Sequence, residues 1–365
     1  FPESEGCAEA YGSDGPLSDD YYLCVYRHGS SRYGLYLVDA FGNRILLHRA
    51  PDVSYVDPIP LRPRRRPPVI PAQNDAIHDG SVNLTEGSTG EVAIMDVYEA
   101  DFEWPENTKI TDLRVVQIFP KATPGQFDPR VGHGAQSLAR AVLGTVPVED
   151  DGSAYFEMPA GVPVYFQALD ASGMAVQSMK SDTYVQPGEL LSCTGCHESK
   201  HTAPPNPPTM PKAVRRAPSK LQRDVEGSFP VQFSRLVQPV LDKKCISCHD
   251  KHNKAPDLSG EQFGGNRGRQ YWSKAFANLE PYSWSKNGGN GAIRRNGTSY
   301  SVPGQVGAKA SRLYKILARG HHKVKLTDEE MHRITLWLDT NSNFFGAYGD
   351  LEAQLRGEPV MPELR

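Results

Sequence analysis

The sequence predicts an α+β multidomain protein, with β-strands first, a β-sandwich in the middle and a small α-helical domain at the C-terminal end. Its 365 residues exceed what one small core accommodates. The 33 glycines and 30 prolines favour short strands and long loops over a helical bundle. Helical periodicity and capping signals appear only after residue 229.

Residues 1–57 are predicted to form β-strands. Aromatic and β-branched runs occur at Tyr21–Tyr26, Gly34–Val38 and Ile45–Leu47, with turn residues between them. Two or three strands are too few to be stable alone, so we expect them to pack on another part of the protein.

Residues 58–90 form a linker rich in proline and arginine. Proline favours extended backbone and removes hydrogen-bond donors. Arg62 and the run Arg64–Arg66 could dock an acidic partner, but a solvated linker is the preferred interpretation.

Residues 91–190 are predicted to form the β-sandwich. Four apolar runs separated by turn signals are typical of such a domain. The strand candidates are Glu91–Tyr98, Leu113–Phe119, Ala154–Met158 and Val162–Leu169. Residues 191–228 then form a separate segment that ends in a proline-rich loop.

Residues 229–365 carry the helical signals. Pro239 suits the first turn of a short helix, Gln238–Lys244. Ser311 is a candidate N-cap of a helix that Gly320 ends, and Thr327 with Glu330 forms a capping box before the next helix. Residues 261–307, rich in glycine and asparagine, are interpreted as an insertion.

Two CxxCH motifs dominate the chemistry: Cys193-Thr-Gly-Cys196-His197 and Cys245-Ile-Ser-Cys248-His249. In such motifs the thiols add to the vinyl groups of a haem, and the histidine becomes a ligand of its iron. The sequence therefore predicts two covalently bound haem c groups and a class I-like cytochrome c domain over residues 229–365. A four-thiolate zinc site would leave both histidines unexplained, so zinc is possible but not favoured.

The second haem has several candidate sixth ligands. His321 is preferred and His322 is the alternative, since both follow a helix end where a loop could cover the distal face. Met331 and His332 are competitors, but Met331 lies on the apolar stripe of its helix. Two histidine ligands would leave no open iron position, which suits electron transfer.

The first haem is harder to assign. His197 should be its proximal ligand, whereas His201 and His133 are alternative iron ligands. His133 lies between two glycines, and a lone loop histidine is more often structural.

The remaining cysteines and the charge bear on compartment and partners. Cys7 and Cys24 are the two cysteines outside the CxxCH motifs, and we predict a disulfide between them. Haem attachment at CxxCH predicts a periplasmic or extracellular bacterial-type protein. A net charge of −3 argues against nucleic-acid binding, and no apolar run approaches the ~20 residues of a transmembrane helix. The chain opens Phe1-Pro2-Glu3, so we expect a processed form or a fragment.

Several segments resemble the hydrazine synthase alpha-subunit family. The resemblance extends from about residue 17 to residue 348 and is most specific over Leu143–Glu198. The segments are Leu143–Gly161, Gln167–Asp170, Gln186–Glu189, Cys193–Glu198, Gly320–Leu326 and Thr335–Asn341. Family members typically carry a β-propeller before this region, so residues 1–57 would be the end of a propeller.

The resemblance also implies roles for the haems. In that family the first haem is the active site, its CxxCH histidine binds zinc, and a tyrosine four residues later binds the iron. The matching positions are His197 and His201, so histidine replaces the tyrosine. The family's second haem has two histidine ligands and passes electrons, which agrees with His249 and His321.

Two functions follow. The preferred one is a dihaem c-type cytochrome that transfers electrons to a redox partner protein or to other cytochrome subunits, within a larger assembly, an oligomer or a filament. The alternative is a hydrazine-synthase-like redox enzyme acting on small nitrogen compounds at the first haem. The replacement of tyrosine by His201 favours the first.

Overall fold

The computed structural model of the chain describes residues 9–29, 32–63, 88–121, 123, 125, 128–134, 137–197, 209–250, 255–262, 272–284 and 301–362. These belong to two compact units, Phe1–Pro71 and Ala72–Arg365. The predicted mixture of β-sheets with a few helices is confirmed. Among the described helices, none has the length and apolar character that a membrane crossing requires.

The first unit contains one antiparallel sheet whose four strands pair in chain order. The strands are β1 (Glu9–Pro16), β2 (Tyr21–His28), β3 (Gly34–Asp39) and β4 (Arg44–His48). Strand β1 was not predicted, because its polar, glycine-containing sequence lacks a β-branched run. Propeller blades are four-stranded sheets of this kind, and the assignment of residues 1–57 to a propeller stays a prediction.

The linker prediction falls largely outside the described residues. Arg62, which is described, donates a hydrogen bond to the carbonyl of Leu17, whereas Arg64–Arg66 lie outside.

The second unit begins with two sheets. One has the strand order β10-β9-β6-β7 and the other the order β11-β5-β8. The strands are β5 (Thr89–Ile94), β6 (Asp112–Ile118), β7 (Arg140–Pro147), β8 (Ala154–Pro159), β9 (Val164–Leu169), β10 (Ala175–Ser178) and β11 (Leu190–Cys193). Strands β10 and β11 were missed, because four residues are too few to show an alternating pattern. Strand β7 was also missed as a strand.

Apolar side chains from both sheets form one core. Val92 and Phe156 of the three-stranded sheet belong to the same buried cluster as Leu113, Leu143 and Phe166 of the four-stranded sheet. Two sheets that bury their inner faces against each other form a β-sandwich.

The helices follow the sandwich. They are α1 (Phe233–Leu236), α2 (Gln238–Lys244), α3 (Lys274–Leu279), α4 (Gly307–Ala310), α5 (Arg312–Ala318), α6 (Asp328–Asp339) and α7 (Leu351–Leu355). Helix α2 has its predicted bounds, Ser311 caps α5, and the capping box of Thr327 and Glu330 opens α6. Trp272 and Phe276, within the predicted insertion 261–307, are buried in the main core, and the insertion itself stays a prediction.

The helical part packs on the four-stranded sheet. Val116 and Tyr165 of that sheet share a buried cluster with Phe233, Trp337 and Phe344. A buried ion pair also joins Arg114 on β6 to the end of α6. Both CxxCH motifs are therefore held on one rigid support, one by the sandwich and one by the helices.

Candidate functional site

The second motif forms a helical turn at the end of α2. The amide of Cys245 donates to the carbonyl of Leu241 (2.8 Å), and the amide of His249 donates to that of Cys245 (3.0 Å). Helical spacing brings residues four apart to one face. Both thiols and the His249 ring are therefore gathered at one end of α2.

The ring of His249 is oriented by Pro256. Its Nδ1 lies 3.0 Å from the Pro256 carbonyl oxygen, which can only accept a hydrogen bond, so Nδ1 carries the proton. A metal-binding histidine commonly has its second ring nitrogen fixed in this way. Nε2 of His249 is thus left as the metal-binding atom.

His321 faces His249. Their ring centroids are 5.8 Å apart, with an interplanar angle of 36°. With metal–nitrogen bonds of about 2 Å, two imidazoles on opposite sides of one metal have centroids roughly 6 Å apart. The separation therefore fits two histidine ligands of one iron.

The turn that carries His321 has unusual backbone angles. Gly320 (φ 85°), His322 (φ 44°) and Lys323 (φ 65°) all adopt positive φ, and the Val324 amide closes the turn on the His321 carbonyl at 2.9 Å. Non-glycine residues with positive φ are uncommon and often occur at functional sites.

The other candidates for the sixth ligand are placed differently. His322 contacts His321 edge-on, with ring centroids 4.6 Å apart. His332 Nε2 lies 2.6 Å from a carboxylate oxygen of Asp224. Burial opposes ionisation of Asp224, but the hydrogen bond with His332 lowers its pKa below the ordinary value. Met331 is half-buried on α6, so it is less enclosed than the core residue we expected.

The environment of His321 favours the neutral ring. Burial lowers the pKa of His321, and the nearby His322 and His249 lower it further. Neutral imidazole is the form that binds a metal.

Glu330 connects α2 to the start of α6, and Lys244 of α2 connects to the loop that carries His321. Its carboxylate lies 2.8 Å from Lys243 Nζ and 3.2 Å from Lys244 Nζ, while Lys244 also donates to the Lys325 carbonyl at 2.9 Å. The hydrogen bond from Lys243, with help from the Thr327 amide and Lys244, lowers the pKa of Glu330 to about 2. These contacts hold the second motif and the His321 turn together.

This lowered pKa predicts a pH-dependent contribution to stability. The ordinary pKa of Glu330 is 4.5, so its contribution is full above that pH and disappears as the pH falls towards about 2. We expect Glu330→Gln to unfold at lower urea concentration than the wild type at pH 7, and the difference to vanish near pH 2. Urea unfolding of both proteins across this range measures it.

Glu329→Gln, which changes the exposed neighbour, is the matched control and should leave the pH profile unchanged. A difference between wild type and Glu330→Gln that is the same at every pH would contradict the prediction.

The first motif is not helical: its backbone bends at residues 194–196 while it stays hydrogen-bonded to the segment that follows β5. Strand β11 pairs in parallel with β5, and the pairing continues through the motif. The amide of Met95 donates to the Cys193 carbonyl (2.9 Å), that of Cys196 to the Glu99 carbonyl (3.1 Å), and that of Asp101 to the His197 carbonyl (2.9 Å). The two CxxCH motifs therefore have different backbones.

Gly195 makes this close pairing possible. A Cβ atom at this position would lie 2.0 Å from the carbonyl oxygen of Glu99. Any other residue would force the motif away from the segment that it pairs with.

Asp101 binds the histidine of the first motif. Its carboxylate oxygen lies 2.6 Å from Nδ1 of His197, and both side chains are about one-third exposed. The carboxylate accepts a hydrogen bond from the Nδ1–H of His197. Nε2 of His197 therefore remains as the metal-binding atom. The sequence did not reveal Asp101, since nothing in its local pattern connects it to a residue 96 positions away.

A cavity of about 440 Å³ adjoins the first motif. Cys193, Cys196 and His197 line it together with apolar residues of the sandwich. Burial raises the pKa of the Cys196 thiol to about 12. The volume of the cavity lies within the range of small-molecule and cofactor pockets.

The other predicted ligands and the disulfide have different outcomes. His133 is buried against Phe276, stacked at 4.0 Å, and does not line the cavity at the first motif. His201 lies outside the described residues. Cys24 is buried on β2 but Cys7 lies outside, so the Cys7–Cys24 disulfide stays a prediction. Within the described part of the chain, no three histidine, cysteine or acidic side chains converge on one point.

Comparison with known proteins gives consistent matches. The family described as hydrazine synthase alpha subunit middle domain matches residues 108–198. Hydrazine synthase subunit alpha of Kuenenia stuttgartiensis is 24% identical over 310 residues, which cover 64% of this chain and 38% of that protein. The matched region therefore covers less than two-fifths of that relative's length.

The structural comparison extends further along the chain. The solved structure of Kuenenia stuttgartiensis hydrazine synthase aligns with a TM-score of 0.57 and 20% sequence identity. The alignment covers 93% of this chain and 56% of that chain. At this identity the match establishes similarity of fold.

Proposed function

This chain belongs to the hydrazine synthase alpha-like family, and on that premise we propose that it is a haem c protein with two unlike haem sites. The second site transfers electrons. The first is the reaction site of a hydrazine-synthase-like redox enzyme acting on small nitrogen compounds. The observation that carries the proposal is the difference in backbone between the two CxxCH motifs: one forms a helical turn, and the other bends alongside the segment that follows β5.

The residues at the second motif fit a haem. Cys245 and Cys248 would supply the thioether bonds, and His249 and His321, whose ring centroids are 5.8 Å apart, would be the two iron ligands. An iron with two histidine ligands has no open position and supplies one-electron transfer. The chain holds the two ligand-bearing segments together, since Lys244 of α2 donates to the Lys325 carbonyl and also binds Glu330.

The residues at the first motif fit a haem that is held differently. Cys193 and Cys196 line an apolar cavity, while Asp101 holds His197 from outside the motif. This carboxylate strengthens His197 as a metal ligand, for iron or for zinc. His201, at the tyrosine position of the family, is the candidate iron ligand on the neighbouring segment. An iron with an open position is what a reaction on a small nitrogen compound requires.

The spin state of the first haem tests the proposal. We expect the purified holoprotein to show one low-spin and one high-spin haem, with the high-spin one alone binding carbon monoxide and nitric oxide. Absorption and electron paramagnetic resonance spectra with and without these gases measure it. Two low-spin haems that bind neither gas would instead support a protein that only transfers electrons.

Asp101→Asn is the matched variant for this experiment. The asparagine amide preserves the shape of the side chain but removes the negative charge that lies beside His197 Nδ1. We expect the reduction potential of the first haem, or the content of bound zinc, to change, while the second haem keeps its potential and its low-spin spectrum. If neither the reduction potential of the first haem nor the zinc content changes, Asp101 has no role in metal binding at this site.

Compartment and partners follow from the same proposal. Covalent haem attachment places the protein in the periplasm or outside the cell. Partner proteins are other cytochrome subunits or a separate redox protein, since an electron-transfer haem needs a donor or acceptor. A mass measurement showing two covalent haems per chain tests the attachment at both motifs.

A further inference from the structure

We propose that a basic surface around His321 docks an acidic redox protein that exchanges electrons with the second haem. The surface, here called the basic rim, consists of Arg312, Lys315, Arg319, Lys323 and Lys325. The proposal rests on the proposed function, because it requires that the second haem passes electrons.

The basic rim carries positive charges only. Residues 312–325 contain five cationic side chains and neither aspartate nor glutamate, although the whole chain has a net charge of −3. All five residues are exposed. The positive charge is thus concentrated on one short segment rather than spread by a basic composition.

The basic rim flanks the ligand turn along the chain. Lys323 and Lys325 follow His321 directly, while Arg319 and Lys315 lie on the preceding turn and helix α5. The carbonyl of Lys325 is bound by Lys244 of α2 at 2.9 Å, so the segment is anchored beside the second motif. Positive charge therefore lies next to the point where an electron would enter or leave.

Two of the three acidic residues that follow the basic rim along the chain are bound by other cations. Glu330 is largely buried and is bound by Lys243 and Lys244. Glu329 is bound by Arg333 at 3.0 Å within α6. Asp328 stands exposed at the start of α6, beyond the basic rim.

The physical role of such a surface is to guide an oppositely charged partner. Complementary charge raises association rates by about 10- to 1000-fold, and the effect weakens as salt screens it. Salt at 0.15 M limits the reach of exposed charges to about 8 Å. An acidic protein would thus be drawn to, and oriented on, the edge nearest His321.

A protein partner is favoured over a membrane surface. Membrane-binding helices expose an apolar face beside their basic one. Helix α5 instead packs its apolar residues Leu313 and Leu317 against the protein core. The basic rim has charge without an apolar anchor, which is the pattern expected for transient docking of an acidic protein.

Stopped-flow reduction of the holoprotein tests the proposal. The probe donor is reduced flavodoxin, an acidic one-electron carrier, and the low-spin haem is followed by absorbance. We expect the second-order rate constant to fall at least tenfold between about 20 mM and 300 mM salt. We expect Lys325→Glu to lower it about fivefold at low salt, and Lys323→Glu with Lys325→Glu to lower it further.

Lys109→Glu is the matched control, because Lys109 is exposed on the sandwich and its reversal changes the net charge equally. We expect this variant to behave as the wild type with flavodoxin. A neutral quinol should reduce all four proteins at the same rate, which shows that the haem itself is unaltered.

The outcomes separate the two proposals. If the low-spin haem is absent from every protein, the proposed function fails. If that haem is present but Lys325→Glu and Lys109→Glu slow its reduction by flavodoxin equally, the proposed docking surface is wrong. A third outcome is that Lys325→Glu abolishes sedimentation with phosphatidylserine vesicles but leaves the rate of reduction by flavodoxin unchanged. This outcome would likewise overturn the docking proposal, in favour of a membrane surface.

Discussion

His321→Ala is expected to convert the second haem from low-spin to high-spin. The His321 ring is 5.8 Å from the His249 ring, a separation suited to two ligands of one iron. Removing one imidazole leaves an open iron position that carbon monoxide can occupy. Absorption and electron paramagnetic resonance spectra of the variant, recorded with and without carbon monoxide, measure the change.

His322→Ala is the matched control for this experiment. His322 contacts His321 rather than facing His249, so its removal should leave the low-spin spectrum intact. If the second haem stays low-spin in His321→Ala and becomes high-spin in His322→Ala, the two ligand assignments are reversed. Added imidazole should restore the low-spin spectrum of His321→Ala, which distinguishes a lost ligand from a misfolded site.

Arg114→Met is expected to lower the free energy of unfolding by about 3–5 kcal/mol, because it leaves a buried carboxylate without its cation. Both Arg114 and Asp339 have side chains that are 0% exposed, and their charged atoms lie 3.2 Å apart. Arg114 also donates to Gln167 (2.9 Å) and to the Gly173 carbonyl (2.8 Å). Urea unfolding of the holoprotein measures the loss.

The double variant Arg114→Met with Asp339→Asn tests the mechanism. Asparagine removes the unpaired charge and can still accept from the Ala308 amide, which donates to Asp339 at 2.8 Å. We expect it to recover part of the loss. Arg356→Met, which breaks an exposed pair with Glu358, should change the unfolding free energy little. A double variant less stable than Arg114→Met would contradict the assigned cause.

Stability and site are linked through this buried pair. Asp339 ends helix α6, whose first turn contains Glu330, and Arg114 belongs to the sandwich that carries the first motif. Loss of the pair would loosen the packing of the helical part on the sandwich. In Arg114→Met we therefore expect the spectra of both haems to change together with the unfolding transition, which shifts to lower urea, and to match the wild type at urea concentrations below it.

The sequence determined the features that depend on neighbouring residues. The spacing within CxxCH, the helix Gln238–Lys244 and the capping box of Thr327 and Glu330 are all local patterns, and the structure contains each of them. Apolar alternation predicted the central strands of the sandwich for the same reason. The family resemblance was also readable, since it rests on contiguous segments.

Tertiary structure alone decided how the two motifs differ. Identical spacing gives a helical turn at Cys245–His249, where α2 precedes it, and a bent, non-helical segment at Cys193–His197, where β11 pairs with β5. The partner of His197 is Asp101, 96 residues earlier. Such long-range pairings are set by how sheets and helices pack, and a local pattern carries no information about them. The motifs are therefore alike in sequence and unlike in structure because their supports differ.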